Sequence, residues 1–139
     1  MTDQSMSIKV SSLVKVLRNE TPECVAAGVV DMATGMLLGV ETVDSHPSEV
    51  LDLLAAATFD LFRGRNVSTI EEIFKKRRGT VSDVRYFQEV LVNSENLVHV
   101  FVRIPSNNEI VAVAVARRGV NIGMLLNAAR RAVNQYDFK

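Results

Sequence analysis

Two segments of the chain are apolar on both of the faces that a β-strand presents to its surroundings. They are VAAGVV at 25–30 and IVAVAVA at 110–116, and the second alternates valine with alanine. Because successive side chains of a strand point to opposite faces of a sheet, both faces of these strands must be covered. We therefore predict that the two strands lie side by side at the sheet centre, where the small alanines allow a helix to approach closely.

The other strand-like segments favour antiparallel pairing around this centre. The turn sequence DMATG joins VAAGVV to MLLGVETV, which predicts a hairpin with Gly35 at a positive φ. LVHVFVRI at 97–104 places valines on one face and His99, Phe101 and Arg103 on the other, and the short loop PSNNE joins it to the next strand. Polar residues interrupt the pattern of RYFQEVLV at 85–92, which predicts an edge or near-edge strand.

Helical periodicity marks the two segments that flank the first hairpin. LVKVLRNE at 13–20 predicts a short helix that Ser11 or Ser12 caps. Residues 45–65 predict a longer helix that Gly64 closes. The apolar surface of this second helix is wider than one sheet face requires, which indicates that the helix covers a second surface as well.

Two further helical segments follow. STIEEIFKKRRG predicts a short capped turn, with a capping box formed by Ser68 and Glu71 or by Thr69 and Glu72, and with Gly79 at its end. Asn121 is the predicted cap of the last helix. The apolar stripe of that helix consists of Ile122, Leu125, Leu126, Ala129, Val133 and Tyr136.

Composition limits the class of protein. The 139 residues are 47% apolar and include sixteen basic and sixteen acidic side chains, which is typical of one globular domain. The formal net charge of zero argues against a nucleic-acid partner and against a membrane partner. A single cysteine, the lack of a signal-peptide pattern and the lack of an apolar run of about 18 residues predict a cytoplasmic protein.

Little in the sequence indicates catalysis. His46 and His99 have no cysteine or carboxylate at metal-ligand spacing, and nothing beside Cys24 marks it as a nucleophile. We therefore expect no enzyme, no cofactor and no metal. The cations of residues 75–78 invite a phosphate-binding interpretation, but we interpret them as a solvated helix end.

The segment GVNIG at 119–123 raises the same question of phosphate binding. It has neither the spacing nor the lysine and hydroxyl pair of a P-loop. A bare helix N-terminus can still bind an anion, so a minor alternative is an anion site formed by Arg117, Arg118 and Asn121.

The order of the predicted elements and two sequence stretches resemble the roadblock/LC7 family. The stretches are GVVDMATGMLLG in the first hairpin and VAVAVARRGVNIGMLLNAARRAV near the end, and the likeness covers about residues 8–135 of a single domain spanning 1–139. The resemblance implies an α+β, profilin-like fold with a five-stranded antiparallel sheet flanked by helices, in the order α-β-β-α-β-β-β-α. Residues 66–84 depart from the family because they exceed its usual link between second helix and third strand.

The resemblance also implies a function. Members of the family mostly act as non-enzymatic dimeric scaffolds, as regulators of small Ras-like GTPases or as dynein-associated light chains, and they dimerise through the second helix and third strand. The wide apolar helix and the imperfect edge strand independently indicate a homodimer. The residues predicted at the dimer interface are Leu53, Ala57, Phe62, Phe87 and Val90. A small GTPase is the partner that the resemblance suggests. The residues predicted at the surface that binds this partner are Asp52, Asp60, Arg63 and Arg65.

Two functions of other classes stay open at this point. A small-ligand sensor on a profilin-like sheet would need an extensive pocket lined by the side chains of VHVFVR at 98–103, whereas a filled core would favour the scaffold. A nucleic-acid binder would rest on the cations of residues 75–78 alone.

Overall fold

The computed structural model describes residues 2–43, 48–79 and 87–139, and it describes the side chains of residues 6–43, 56–79 and 87–139. The elements are helix α1 (Thr2–Glu20), strands β1 (Cys24–Asp31) and β2 (Met36–Thr42), helices α2 (Ser48–Arg63) and α3 (Arg65–Arg78), strands β3 (Glu89–Asn93), β4 (Leu97–Arg103) and β5 (Ile110–Arg117), and helix α4 (Ile122–Asn134). This order contains the predicted one and adds α3 between α2 and β3.

The strands form one antiparallel sheet in the order β2-β1-β5-β4-β3. The prediction that the two doubly apolar strands lie side by side is confirmed, because β1 pairs with β5 along its length. The edge position predicted for β3 is also confirmed. The strand begins at Glu89, however, and Phe87 and Gln88 precede it. The predicted start at Arg85 lies outside the described residues.

The first hairpin turns as predicted. Gly35 has a φ of 74° and donates its backbone N–H to the carbonyl of Asp31 at 2.7 Å. The carboxylate of Asp31 also accepts from the backbone N–H of Ala33 and from the hydroxyl of Thr34. These hydrogen bonds to Asp31 stabilise the turn, and the turn requires a positive φ at Gly35. A residue with a side chain adopts such a φ at a cost in energy.

Helices cover the two faces of the sheet unequally. Helices α1 and α4 pack on the face that carries Ala112, Ala114 and Ala116, which are all buried, and α2 packs on the other face. The close approach predicted from small side chains extends to Gly39 of β2. A Cβ atom at Gly39 would lie 2.7 Å from Cγ1 of Val10 in α1, so a side chain at this position would force Val10 or the helix that carries it to shift.

Helix α1 is longer than the sequence predicted. Ser11 and Ser12 lie inside it rather than at its start. The buried side chains Val10, Leu13 and Leu17 continue across both serines, so burial against the sheet outweighs the preference of serine for caps. The hydroxyl of Ser12 instead forms a hydrogen bond of 2.6 Å with that of Tyr136.

Helix α2 ends before Gly64 as predicted, but α3 begins earlier than predicted, at Arg65. Gly64 has an extended conformation (φ −60°, ψ 161°) and precedes α3 directly. Ser68 and Thr69 therefore lie within α3, where their hydroxyls donate to carbonyls of earlier residues, and both predicted capping boxes are wrong. The end of α3 is as predicted, since Gly79 adopts a φ of 65° and its N–H reaches carbonyls of the last turn.

Helix α4 begins as predicted. The side chain of Asn121 accepts a hydrogen bond of 3.0 Å from the backbone N–H of Met124. Leu125, Ala129 and Val133 are buried, but Ile122 is 41% exposed, so the buried stripe starts one turn later than predicted. Beyond α4, Phe138 is 1% exposed. The packed domain therefore extends past the expected end of its core at residue 135.

Candidate interaction surface

The outer edge of β3 is the first feature of the surface. The backbone bonds from Ser94 N–H to the Leu97 carbonyl and from Arg103 N–H to the Gln88 carbonyl, both 2.8 Å, bracket the pairing of β3 with β4. Because an antiparallel ladder alternates, the even-numbered residues between them bond to β4 and the odd-numbered ones point away from it. The backbone groups that point away are those of Glu89, Leu91 and Asn93. No strand in the described part of the chain pairs with them.

The side chains of β3 belong to both cores. Leu91 packs against the core beneath α1 and α4, while Val90 and Val92 pack against the core beneath α2. All three are only partly buried. The edge strand therefore presents an open backbone together with incompletely covered apolar side chains.

A buried arginine anchors the chain where it enters β3. Arg103 is 2% exposed, its Nε donates to the carbonyl of Phe87 at 2.9 Å, and its Nη1 donates to the carbonyl of Asn108 at 2.6 Å. The guanidinium also lies 5.1 Å from the ring centroid of Phe62 on α2. One side chain thus joins the start of β3, the β4–β5 loop and α2.

The charge on β3 is neutralised from α4. Arg130 donates to both carboxylate oxygens of Glu89, with distances of 2.6 and 2.7 Å. This bidentate hydrogen bond lowers the pKa of the Glu89 carboxyl below its ordinary value, although partial burial opposes the shift. The sole acidic residue of β3 is therefore held against the molecule rather than directed along the open edge.

Among the residues predicted at the dimer interface, the structure separates Phe62 from the rest. Its side chain is 0% exposed and packs against Val30, Met32 and Phe101 in the chain's own core. This corrects the expectation for Phe62, because its burial leaves no surface for a second copy. Phe62 is buried because the face of α2 that carries Thr58 and Phe62 packs toward the sheet.

The other predicted interface residues have different environments. Ala57 is exposed on α2, and Phe87 and Val90 are half-buried beside the open edge. The side chain of Leu53 lies outside the described part of the chain. The structure thus places Phe87 and Val90 against the same core, whereas Ala57 lies on α2, which packs mainly over β2 and β1.

The predicted partner residues cluster near the C-terminal end of α2. Asp60 and Arg65 are exposed. Arg63 instead forms a salt bridge of 2.6 Å with Glu109 of the β4–β5 loop, so its charge is already neutralised. The side chain of Asp52 is not among those that the structure describes.

The residues of the alternative anion site do not converge. The guanidinium of Arg118 donates to the carbonyls of Ser94 and Glu95, which ties it to the β3–β4 turn. The Asn121 side chain occupies the helix N-terminus itself. Arg117 is exposed at the end of β5. An anion at this turn would have to displace bonds that the chain already makes.

Cys24 and His99 are two further groups that could be reactive. Burial raises the pKa of the Cys24 thiol and lowers the pKa of the half-buried His99 imidazole. His99 stacks on Phe101 with an angle of 8° between rings. Within the residues that the structure describes, no three side chains of the His, Cys, Asp and Glu types lie close enough to hold a metal ion.

Two shallow clefts lie away from β4. One of about 220 Å³ lies between α1 and α4, and its lining includes Glu20 and Arg131. The other, of about 250 Å³, lies between α1 and β2 beside Gly39. The β4 residues Val98 and Val100 do not line either one, because both are buried in the core.

Comparisons with known proteins identify this arrangement of elements. No family model matches the chain, and no curated protein matches it. An MglB structure described as having a tetrameric arrangement superposes with a TM-score of 0.67 at 16% identity, covering 94% of this chain and 87% of that one. A roadblock/LC7 domain from Streptomyces avermitilis gives a TM-score of 0.63 at 18% identity, covering 90% and 92%. The chain has the roadblock/LC7 fold.

A more distant match supports the wider fold class. Profilin II from Acanthamoeba castellanii superposes with a TM-score of 0.52 at 11% identity, covering 91% of this chain and 94% of that one. The predicted resemblance is thereby confirmed at the level of fold, as is the α+β, profilin-like class. The structure describes no helix long and apolar enough to cross a membrane among the residues it covers.

Sequence reasoning missed two features of this roadblock/LC7 fold that organise the candidate surface. The alternation of LVHVFVRI predicts the correct face for Arg103, and a cation beside Phe101 on that face was the available signal for a buried anchor. The pairing of Glu89 with Arg130 joins residues 41 positions apart. No local pattern in the sequence indicates a contact at that separation.

Proposed function

We propose that this protein is a non-enzymatic, homodimeric interaction module that binds a small Ras-like GTPase. The observation that carries the proposal is the open edge of β3, which lies beside the face covered by α2 in a roadblock/LC7 fold. The class of partner comes from the sequence resemblance, whose family includes regulators of such GTPases. The fold shared with MglB supports the same class of protein.

The chemistry of β3 favours pairing with a second copy. Natural edge strands are usually protected from pairing by lysine, proline, a bulge or an inward charge. The strand EVLVN has neither lysine nor proline, its pairing with β4 is regular, and its one charge is held by Arg130. Addition of the same strand across a two-fold axis would satisfy the outward backbone groups and cover Val90 and Val92.

The exposed charges near the end of α2 are the proposed partner surface. Asp60 and Arg65 are both exposed and lie five positions apart, on either side of the bend at Gly64. The salt bridge between Arg63 and Glu109 removes a competing charge from this region. Asp60 is therefore the acidic group best placed to meet a cation of the partner.

A pull-down tests the partner assignment directly. The immobilised protein is incubated with native extract that has been loaded with a non-hydrolysable GTP analogue or with GDP, and retained proteins are probed for small GTPases. We expect retention that depends on the GTP analogue and that Asp60→Lys reduces at least about tenfold, because a like charge replaces an attractive one.

The matched control is Glu20→Lys, which reverses an exposed charge on α1, on the opposite face of the sheet. It should retain the GTPase as the unmodified protein does. Retention that responds neither to the nucleotide nor to Asp60→Lys would count against the proposed surface.

The sensor alternative gains no support from the cavities. The side chains of VHVFVR that would line its pocket include the buried Val98, Val100 and Val102, and the clefts near α1 are lined by other residues. We therefore retain the interaction module as the proposed function.

A further inference from the structure

Beyond Arg65 at its start, helix α3 has no part in the proposed function. It packs chiefly against α2, and the nearly complete burial of Glu71 marks the side that faces the rest of the molecule. The sequence analysis interpreted its C-terminal cations as a solvated helix end. The distribution of apolar side chains on the helix points to a more specific role.

Helix α3 exposes an apolar stripe in water. Ile70, Ile73 and Phe74 are 38%, 51% and 38% exposed, respectively. Their spacing of three and four residues places them on one side of the helix, together with Arg77. Arg78 lies beside the stripe, with its guanidinium 5.7 Å from the ring centroid of Phe74. Exposed apolar groups interleaved with cations form an amphipathic surface rather than a purely solvated one.

The charge of the whole chain conceals a strong local asymmetry. Residues 65–79 contain five of the sixteen basic residues and two of the sixteen acidic ones, giving this segment a formal charge of +3. The remaining residues, with eleven basic and fourteen acidic side chains, carry −3. An anionic surface would therefore attract α3 and repel the rest of the chain, which orients the molecule.

We propose that α3 docks the protein onto an anionic phospholipid surface. Its 14 residues span about 21 Å, enough to lie flat at the level of the headgroups. Ile70, Ile73 and Phe74 enter the boundary between headgroups and acyl chains, while the cations of residues 75–78 contact phosphates. Aliphatic side chains gain nothing from a nucleic-acid backbone, which favours lipid over DNA or RNA. This inference does not rest on the dimer or on the GTPase.

Vesicle flotation of the full chain tests the inference. Vesicles of phosphatidylcholine alone are compared with vesicles containing about 30% phosphatidylglycerol at low salt. We expect binding to the anionic vesicles only. Lys76→Ala with Arg77→Ala should lower the partition coefficient about 25-fold, since each basic residue near an anionic surface contributes about fivefold. Ile73→Gln should lower it about fivefold through lost apolar burial.

The matched control removes two exposed cations from elsewhere, by Lys15→Ala with Arg131→Ala on α1 and α4. It should change the partition coefficient by less than about twofold, because those side chains are remote from α3. Circular dichroism melts of all variants show whether they remain folded.

Three results would overturn the lipid assignment. They are an absence of binding to anionic vesicles at low salt, an equal loss of binding in the control pair, and a salt-sensitive retention on DNA or RNA that Ile73→Gln leaves unchanged. The last result would assign the cations to a nucleic acid instead.

Discussion

Arg103 illustrates how a single residue can be predicted in part from its surroundings in the sequence. The alternation of LVHVFVRI places it on the face of β4 that also carries Phe101, and the structure agrees. Its partners are the backbone carbonyls of Phe87 and Asn108, which belong to irregular segments. Because the position of a loop carbonyl depends on the folded chain, periodicity could not predict this anchor.

The prediction at this scale is a loss of stability in Arg103→Met. The substitution keeps an apolar chain of similar length but leaves two carbonyls without their donor, so we expect the free energy of unfolding to fall by about 2–4 kcal/mol. Urea denaturation at neutral pH measures it. Arg131→Met, at an exposed position of α4, should change stability by less than about 0.5 kcal/mol. Equal effects of the two substitutions would exclude the anchoring role.

At the level of the elements, the sequence predicted their types better than their boundaries. Alternation and helical periodicity predict element types well, because each pattern reflects the burial of one face of a strand or of a helix in the folded chain. The predicted boundaries were wrong where tertiary contacts override local preference. In α1, for example, the buried stripe continues past Ser11 and Ser12. The early start of α3, directly after Gly64, was missed for another reason. A glycine after an apolar stripe is compatible with the end of one helix and with the start of the next.

Gly64→Ala tests why the chain uses glycine at this bend. A Cβ atom there would lie 2.4 Å from the carbonyl oxygen of Asp60, so α3 must shift relative to α2. We expect a loss of about 1–3 kcal/mol in urea denaturation. Gly119→Ala is the control, because its Cβ meets no atom within 4 Å and its φ is not positive. It should be neutral or slightly stabilising, and a similar loss in both variants would refute the steric explanation.

For the whole molecule, the two doubly apolar strands were enough to predict the centre of the sheet, and the polar interruptions of RYFQEVLV predicted the edge position of β3. They could not predict which side chains near that edge remain available. Phe62 has the same apolar character as Phe87, yet it is buried inside the chain, while Phe87 is half-buried beside the open edge. The direction in which α2 faces depends on its packing against β2 and β1 and on the contact of Phe62 with Phe101 of β4. A helical stripe wider than one face leaves that direction open.

The proposed assembly predicts an effect of proline at the edge. The backbone N–H of Asn93 points away from β4 by the alternation of the ladder, and its side chain is exposed. Asn93→Pro removes this donor without touching the pairing with β4. Two copies lose one bond each, at about 1 kcal/mol apiece, so the dissociation constant of the dimer should rise about 30-fold. Asn93→Ala keeps the N–H and should leave the constant unchanged.

Sedimentation velocity of the unmodified protein at tens of micromolar, run beside these two variants, tests the central claim most directly. A homodimer built on β3 predicts twice the 15.3 kDa mass of the chain for the unmodified protein and for Asn93→Ala, with dissociation of Asn93→Pro on dilution. A monomer at that concentration, or a dimer that Asn93→Pro does not weaken, would contradict it.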